Sequence, residues 1–148
     1  MGIYSKKAVE YFKSGYNCAQ SVFLAFAEDF GFDKDTALKL SSSFGGGMGR
    51  LREVCGAVSS MFAIAGLKYG YTSNNDDEIK AQHYKRIQDL AEKFRADFGT
   101  IICRELLGLP SGVDSPIPSK RTDDYYSVRP CEEFIKRASE IIESEILD

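Results

Sequence analysis

The sequence predicts an all-α single domain, a bundle of about six or seven helices around a buried central helix. Three observations lead there. Apolar residues recur at the i, i+3, i+4, i+7 spacing of one helix face, and no segment alternates with the two-residue period of a strand. Helix stop and start residues punctuate the chain at short intervals, as at Gly15/Asn17, Gly31/Asp33 and Gly108/Pro110. The 148 residues, 43% hydrophobic and 28% charged, suit one core and one domain spanning 1–148.

Ala8, Val9 and Phe12 mark a first short amphipathic helix that stops at Gly15. Asn17 reads as the next N-cap, with Gln20 three residues on completing a capping box. That places Cys18 at the first helical position of a helix running through Val22, Phe23, Phe26 and Phe30 to Gly31. Asp33 caps a third helix through Leu38 and Leu40. The glycine cluster Gly45, Gly46, Gly47 and Gly49 then breaks the pattern. The segment Val54 to Leu67 that follows has no charged residue and reads as the central helix, buried all round, with Cys55 in its first turn. A long helix is expected from about Asp77 to Phe98, with His83 on its apolar stripe between Ile79 and Ile87. Thr100 caps a short helix through Cys103 and Leu107. Residues 109–129 hold Pro110, Pro116 and Pro118 and show no period, which predicts a long loop pinned by Tyr125 and Tyr126. Pro130 suits the first position of a last helix that turns Cys131, Phe134, Ile135, Ala138, Ile141 and Ile142 to one side.

The net charge of −3 gives no electrostatic case for nucleic acid. No polybasic run points to a membrane surface, Val54 to Leu67 is too short to span a bilayer, and the N-terminal residues lack a signal peptide's apolar run. Lys6 stands where a myristoylation motif wants Ser or Thr. The expected compartment is the cytoplasm, where cysteines are more often catalytic, redox-sensing or metal-bound than structural disulfides.

Cys18, Cys55, Cys103 and Cys131 are far apart in sequence and form no Cys-x-x-Cys pair. They share a position instead. Three fall in the first turn of an expected helix, and Cys103 falls in a short one. A helix start offers unpaired N–H groups and partial positive charge, and both stabilise a thiolate. Arg50, Arg52 and Arg104 bring positive charge near Cys55 and Cys103, while Glu132 and Glu133 oppose the effect at Cys131. The plainer reading of any one of them is a small buried hydrophobe.

Taken with their flanks, these residues resemble a known family. Tyr16-Asn17-Cys18-Ala19-Gln20, Gly46-Gly47-Met48-Gly49-Arg50, Cys55-Gly56-Ala57-Val58-Ser59 and Gly66-Leu67-Lys68-Tyr69-Gly70, with Cys103 and Cys131, look like the redox-active family named for the cysteine pattern C…GCAxxG…C…C. The resemblance covers essentially the whole chain and implies redox chemistry, with one cysteine in a Cys-Gly-Ala-x-x-Gly motif. The sequence departs from that motif at Ser60, where the family has Gly.

Three functions follow as expectations. The first is thiol–disulfide exchange or electron transfer, needing no cofactor, with Cys55 as the reactive thiol because the glycine loop gives access. Another cysteine, Cys18 or Cys131, then resolves the intermediate. The second is a zinc or iron–sulfur site built from Cys18, Cys55, Cys103 and Cys131, with His83 able to replace one ligand. The plainer reading of His83 is a hydrogen-bonded core histidine. The third is a non-catalytic module that binds a small ligand or partner in a pocket flanked by the glycine and proline loops. The glycine run is no phosphate loop, since it lacks the Walker Lys-Ser/Thr and follows no strand. The redox partner, protein or small molecule, and the oligomeric state are not legible in the sequence.

Overall fold

The computed structural model describes residues 2–147, and at 127 and 128 the backbone alone; Met1 and Asp148, the ends of the expected domain, lie outside the described residues. The helices in order are α1 (Ile3–Lys13), α2 (Cys18–Ala27), α3 (Lys34–Ser41), α4 (Gly56–Tyr69), α5 (Asp77–Phe98), α6 (Cys103–Leu107), α7 (Asp123–Val128) and α8 (Cys131–Glu145). The described residues thus form an all-α bundle with no strand; Val54 and Ile102 pair only as an isolated bridge.

The boundary chemistry explains most of these limits. Asn17 and Gln20 form the reciprocal capping box, Asp33 accepts from the Thr36 N–H, and Asp76 accepts from the Ile79 N–H. Two boundaries differ from expectation. Pro130 is the N-cap rather than the first residue of α8, and Ile102 rather than Thr100 precedes α6, because the Thr100 hydroxyl is turned to Glu105 and the Ile102 N–H. The helix α7 was not expected at all. Six residues show less than two turns of periodicity, and only the Thr122 cap on the Tyr125 N–H marks its start.

The centre of the bundle is shared. α2 is buried along nearly its whole length, from Ala19 and Ser21 through Ala27. It lies between α1 and α4 and against α8. α4 is not buried all round as expected: Met61, Ile64 and Ala65 face the core, but Ala63 and Leu67 form an exposed edge. The reason lies in α2, whose ten residues also carry no charge and fill the middle first. Phe12, Phe26, Phe94, Met61, Ile64, Ile135 and Ile142 complete one apolar cluster. Each such side chain contributes about 1.5–3 kcal/mol on burial. His83 does not sit on a buried stripe. α5 meets the core only through its second half, at Leu90, Ala91 and Phe94, so Ile79 stays 43% exposed and His83 is half-buried, edge-on to Tyr71.

Between α3 and α4 the backbone does something that regular L-residues avoid. Gly46, Gly47, Met48, Gly49 and Arg50 all have φ between 62° and 69°, making a left-handed helical turn, and Arg52 follows at 61°. Each non-glycine residue held there costs roughly 1–2 kcal/mol. Glycine at three of the five positions keeps that cost down. The turn is fastened by N–H bonds from Gly49 to Gly45 O at 2.9 Å and from Glu53 to Gly47 O at 2.9 Å. It is joined to the start of α6 by the Cys103 N–H on Glu53 O at 2.6 Å.

Candidate functional site

The left-handed turn brings four helix starts to one place. Cys18 is the first residue of α2, Cys55 the N-cap of α4, Cys103 the first residue of α6 and Cys131 the first residue of α8. All four are free thiols, and all four line one cavity of about 250 Å³. Its apolar walls include Phe12, Leu106, Leu107, Tyr125 and Phe134, and Pro116 and Pro118 close it from the loop side.

Cys18 and Cys55 meet directly, because α2 and α4 approach without a side chain between them. At Gly56 an added Cβ would lie 2.6 Å from Cys18 Sγ and 2.8 Å from Phe44 O. The same contact is tied one turn further on, where the Ser60 hydroxyl donates to Ala19 O at 2.6 Å. Ser60 therefore joins the two helices rather than holding them apart.

The electrostatics of the pair are asymmetric. The Cys55 thiol donates to Cys18, and the N–H groups of Gly46, Gly56 and Ala19 also point at the Cys18 sulfur. Together they outweigh burial and bring the Cys18 thiol down to about 6. Cys55 moves the other way. Its hydrogen bond to Cys18, its burial and the Cys18 charge all keep it protonated, well above the ordinary thiol range. The reactive thiol was expected at Cys55; hydrogen bonding lowers the Cys18 thiol and raises that of Cys55, with N–H donors of the glycine turn and of α4 directed at Cys18.

Cys103 and Cys131 line the same cavity. Burial pushes Cys103 up, although Arg52 Nη1 donates to its sulfur at 3.5 Å. Burial, with the nearby Cys18 and Cys103 sulfurs, pushes Cys131 to about 12. Glu132 is drawn to Lys13 at 3.0 Å, so burial rather than acidic neighbours leads at Cys131. Of the expected cationic neighbours only Arg52 reaches a sulfur. Arg104 turns to Leu51 O and Glu53, and Arg50 turns to the proline-rich loop.

Arg50 and Arg52 both bind Asp114, at 3.1 and 2.9 Å, and Arg50 also donates to Ser115 O at 2.6 Å. These bonds fold the 109–122 loop over the cavity. Arg52 is only 4% exposed and links that loop to Cys103. Arg121 holds the other end of the loop by donating to Phe12 O and Tyr16 O at 3.1 and 3.0 Å while lying over the Phe12 ring. Tyr125 and Tyr126 pack on the same ring. Asp114 and Arg121 escaped the sequence reading, since no local pattern links them to residues more than sixty positions away.

Among the described residues no three Cys, His, Asp or Glu side chains are grouped closely enough to hold a metal ion, and His83 is on the far half of α5. The four cysteines line one cavity, but no three of them are grouped closely enough for a zinc or iron–sulfur site in this arrangement.

Fold and site together define a helical thiol domain whose helix starts collect four cysteines around one enclosed space. Residues 16–145 match the family described as "Putative redox-active protein (C_GCAxxG_C_C)", and the chain belongs to that family. No significant match to a curated protein or to a solved structure is found. Among the described residues no helix is long and apolar enough to cross a membrane.

Proposed function

We propose that the protein carries out two-electron thiol–disulfide exchange, with Cys18 as nucleophile and Cys55 as resolving thiol. The observation that carries this reading is the close approach of Cys18 to the start of α4 beside Cys55, where the Cys55 thiol and backbone N–H groups lower the Cys18 thiol. The Cys18 sulfur attacks one sulfur of a disulfide RS–SR, a mixed Cys18–SR disulfide forms, and RS⁻ leaves. At that point the charge on Cys18 is gone. Cys55 loses the anion that kept it protonated, gives up its proton, and attacks Cys18 Sγ. The products are the Cys18–Cys55 disulfide, RS⁻ and RSH, so the substrate gains the two electrons that the dithiol loses. Exchange of this kind uses a low-pKa attacking thiol best near ambient pH. Cys103 and Cys131, whose acidities burial shifts upward in pKa, are slower thiols on the same cavity.

The test is residue-resolved alkylation by mass spectrometry between pH 5 and 10. Cys18 is expected to label first, with a midpoint near 6, and a stoichiometric disulfide oxidant is expected to yield a Cys18–Cys55 crosslink. Slow, equal labelling of all four cysteines would remove the basis of the proposal.

A further inference from the structure

The cavity has a charge that the chain as a whole does not. The protein carries a net −3, yet the side chains lining this cavity include Arg50, Arg52, Arg121 and Arg129 and no aspartate or glutamate. Asp114 binds Arg50 and Arg52 from the loop side, and one carboxylate cannot neutralise two guanidinium groups. Arg121 and Arg129 lie over the Tyr125 ring, 5.0 and 5.7 Å from its centre. The enclosure stays net positive after both Asp114 and the Cys18 thiolate are counted. Low-dielectric walls such as Phe12, Leu106, Leu107 and Phe134 concentrate that potential on whatever enters.

The cavity is partly covered as well. The 109–122 loop covers the cavity and is fixed at both ends, by Asp114 on Arg50 and Arg52 and by Arg121 on the end of α1. Cys18 is half-buried beneath it, and Cys55 is buried. A cavity of about 250 Å³ under this loop suits a small disulfide better than one set in the surface of a folded protein.

From this charge and enclosure we infer that the substrate is a small disulfide bearing negative charge, such as one with carboxylate arms, and its product the corresponding anionic thiol. The inference rests on the thiol-exchange reading above and adds the class of molecule. Each turnover converts ⁻OOC–R–S–S–R–COO⁻ to two anionic thiols, one released as thiolate and one as thiol, while Cys18 and Cys55 become the disulfide. The arginines hold the carboxylates and steer the anion inward against the repulsion of the Cys18 thiolate.

The experiment compares three small disulfides on the reduced full chain: 3,3′-dithiodipropionate (dianion), bis(2-hydroxyethyl) disulfide (neutral) and cystamine (dication). Formation of the Cys18–Cys55 crosslink is timed by quenching and mass spectrometry, and each rate is divided by that of the same disulfide with free 2-mercaptoethanol. The dianion is expected to lead the dication by about tenfold or more at low salt, with the neutral compound between. That lead should shrink as salt rises to about 0.5 M, where screening is nearly complete over a few ångströms. Arg129→Gln should narrow it too, and because the wild-type series already decides the matter, a misfolded variant costs the test nothing. Equal normalised rates, a lead for cystamine, or reduction of insulin as fast as of the dianion would overturn the substrate class while leaving the exchange chemistry standing. Absence of the crosslink with every disulfide would instead overturn the exchange reading, and this inference with it.

Discussion

Cys18 and Cys131 occupy the same kind of position, the first residue of a helix on one cavity, and their acidities move in opposite directions. Cys18 falls to about 6 and Cys131 rises to about 12. The helix dipole is common to both, so it does not decide the matter. What differs is the number of donors that reach the sulfur. Cys18 takes hydrogen bonds from the Gly46, Gly56 and Ala19 N–H groups and from the Cys55 thiol. Cys131 is surrounded by apolar side chains and other sulfurs, and the nearby arginines only moderate its rise. A helix start activates a thiol when other backbone is folded against it; burial alone suppresses it.

The comparison can be broken most sharply by deletion. Cys18→Ala should remove the fast phase of iodoacetamide labelling at pH 7, a loss of about 10–100-fold in initial rate given the thiolate fractions involved. Cys131→Ala should leave that phase in place. An equal loss in both variants, read by stopped-flow or timed quench, would mean that the two helix starts are equivalent after all.

Gly56→Ala is expected to come next. Its methyl group would sit 2.6 Å from Cys18 Sγ and 2.8 Å from Phe44 O, so α2 and α4 must part. Overpacking of this kind costs about 1–3 kcal/mol, measurable as a lower urea midpoint. The Cys18 labelling midpoint should rise with it, because the donors withdraw. An unchanged midpoint would show that the close approach does not matter to the thiolate.

Cys55→Ala and Cys55→Ser sharpen the comparison by removing or keeping one donor. In the alanine variant the Cys18 labelling midpoint should move up from about 6 toward the ordinary thiol value, and in the serine variant it should move less. The reverse order would argue that the backbone N–H groups act alone.

A smaller effect should appear in stability against pH. Cys18 titrates near 6 in the folded chain, below its unfolded value of about 8.5, so its contribution is complete above that value and lost as pH falls toward 6. Cys131 has the opposite sign: its contribution is complete below about 8.5 and lost as pH rises toward 12. The thiol-linked part of stability should therefore peak in the region of pH 8–9. Cys18→Ala should flatten the acidic limb and Cys131→Ala the alkaline one, in urea titrations under reducing conditions. Identical profiles for both variants would contradict the assignment.

The difference between the two cysteines also marks where the sequence stops being informative. Caps, stops and apolar spacing are local, so Asn17 with Gln20, Asp33 and the 77–98 helix were readable residue by residue. Whether a given helix is the middle of the bundle is not local. α2 has no charged residue and α4 only Lys68 in its last turn, and the choice between them fell to which one had neighbours on every side. For the same reason His83 matched an apolar stripe in the sequence but lies where α5 has left the core. The Asp114 pairing with Arg50 and Arg52 joins segments that no spacing rule connects.

By itself the sequence determined an α-helical chain with a cysteine at or beside four helix starts and a glycine run free to turn left-handed, because propensity, capping and φ preference act within a few residues. Only the tertiary structure decided that those starts face one cavity, that Cys18 and Cys55 meet across Gly56, and that arginines from distant segments line it. Hydrogen bonding and charge act through space over a few ångströms, and those distances exist only once the helices have packed.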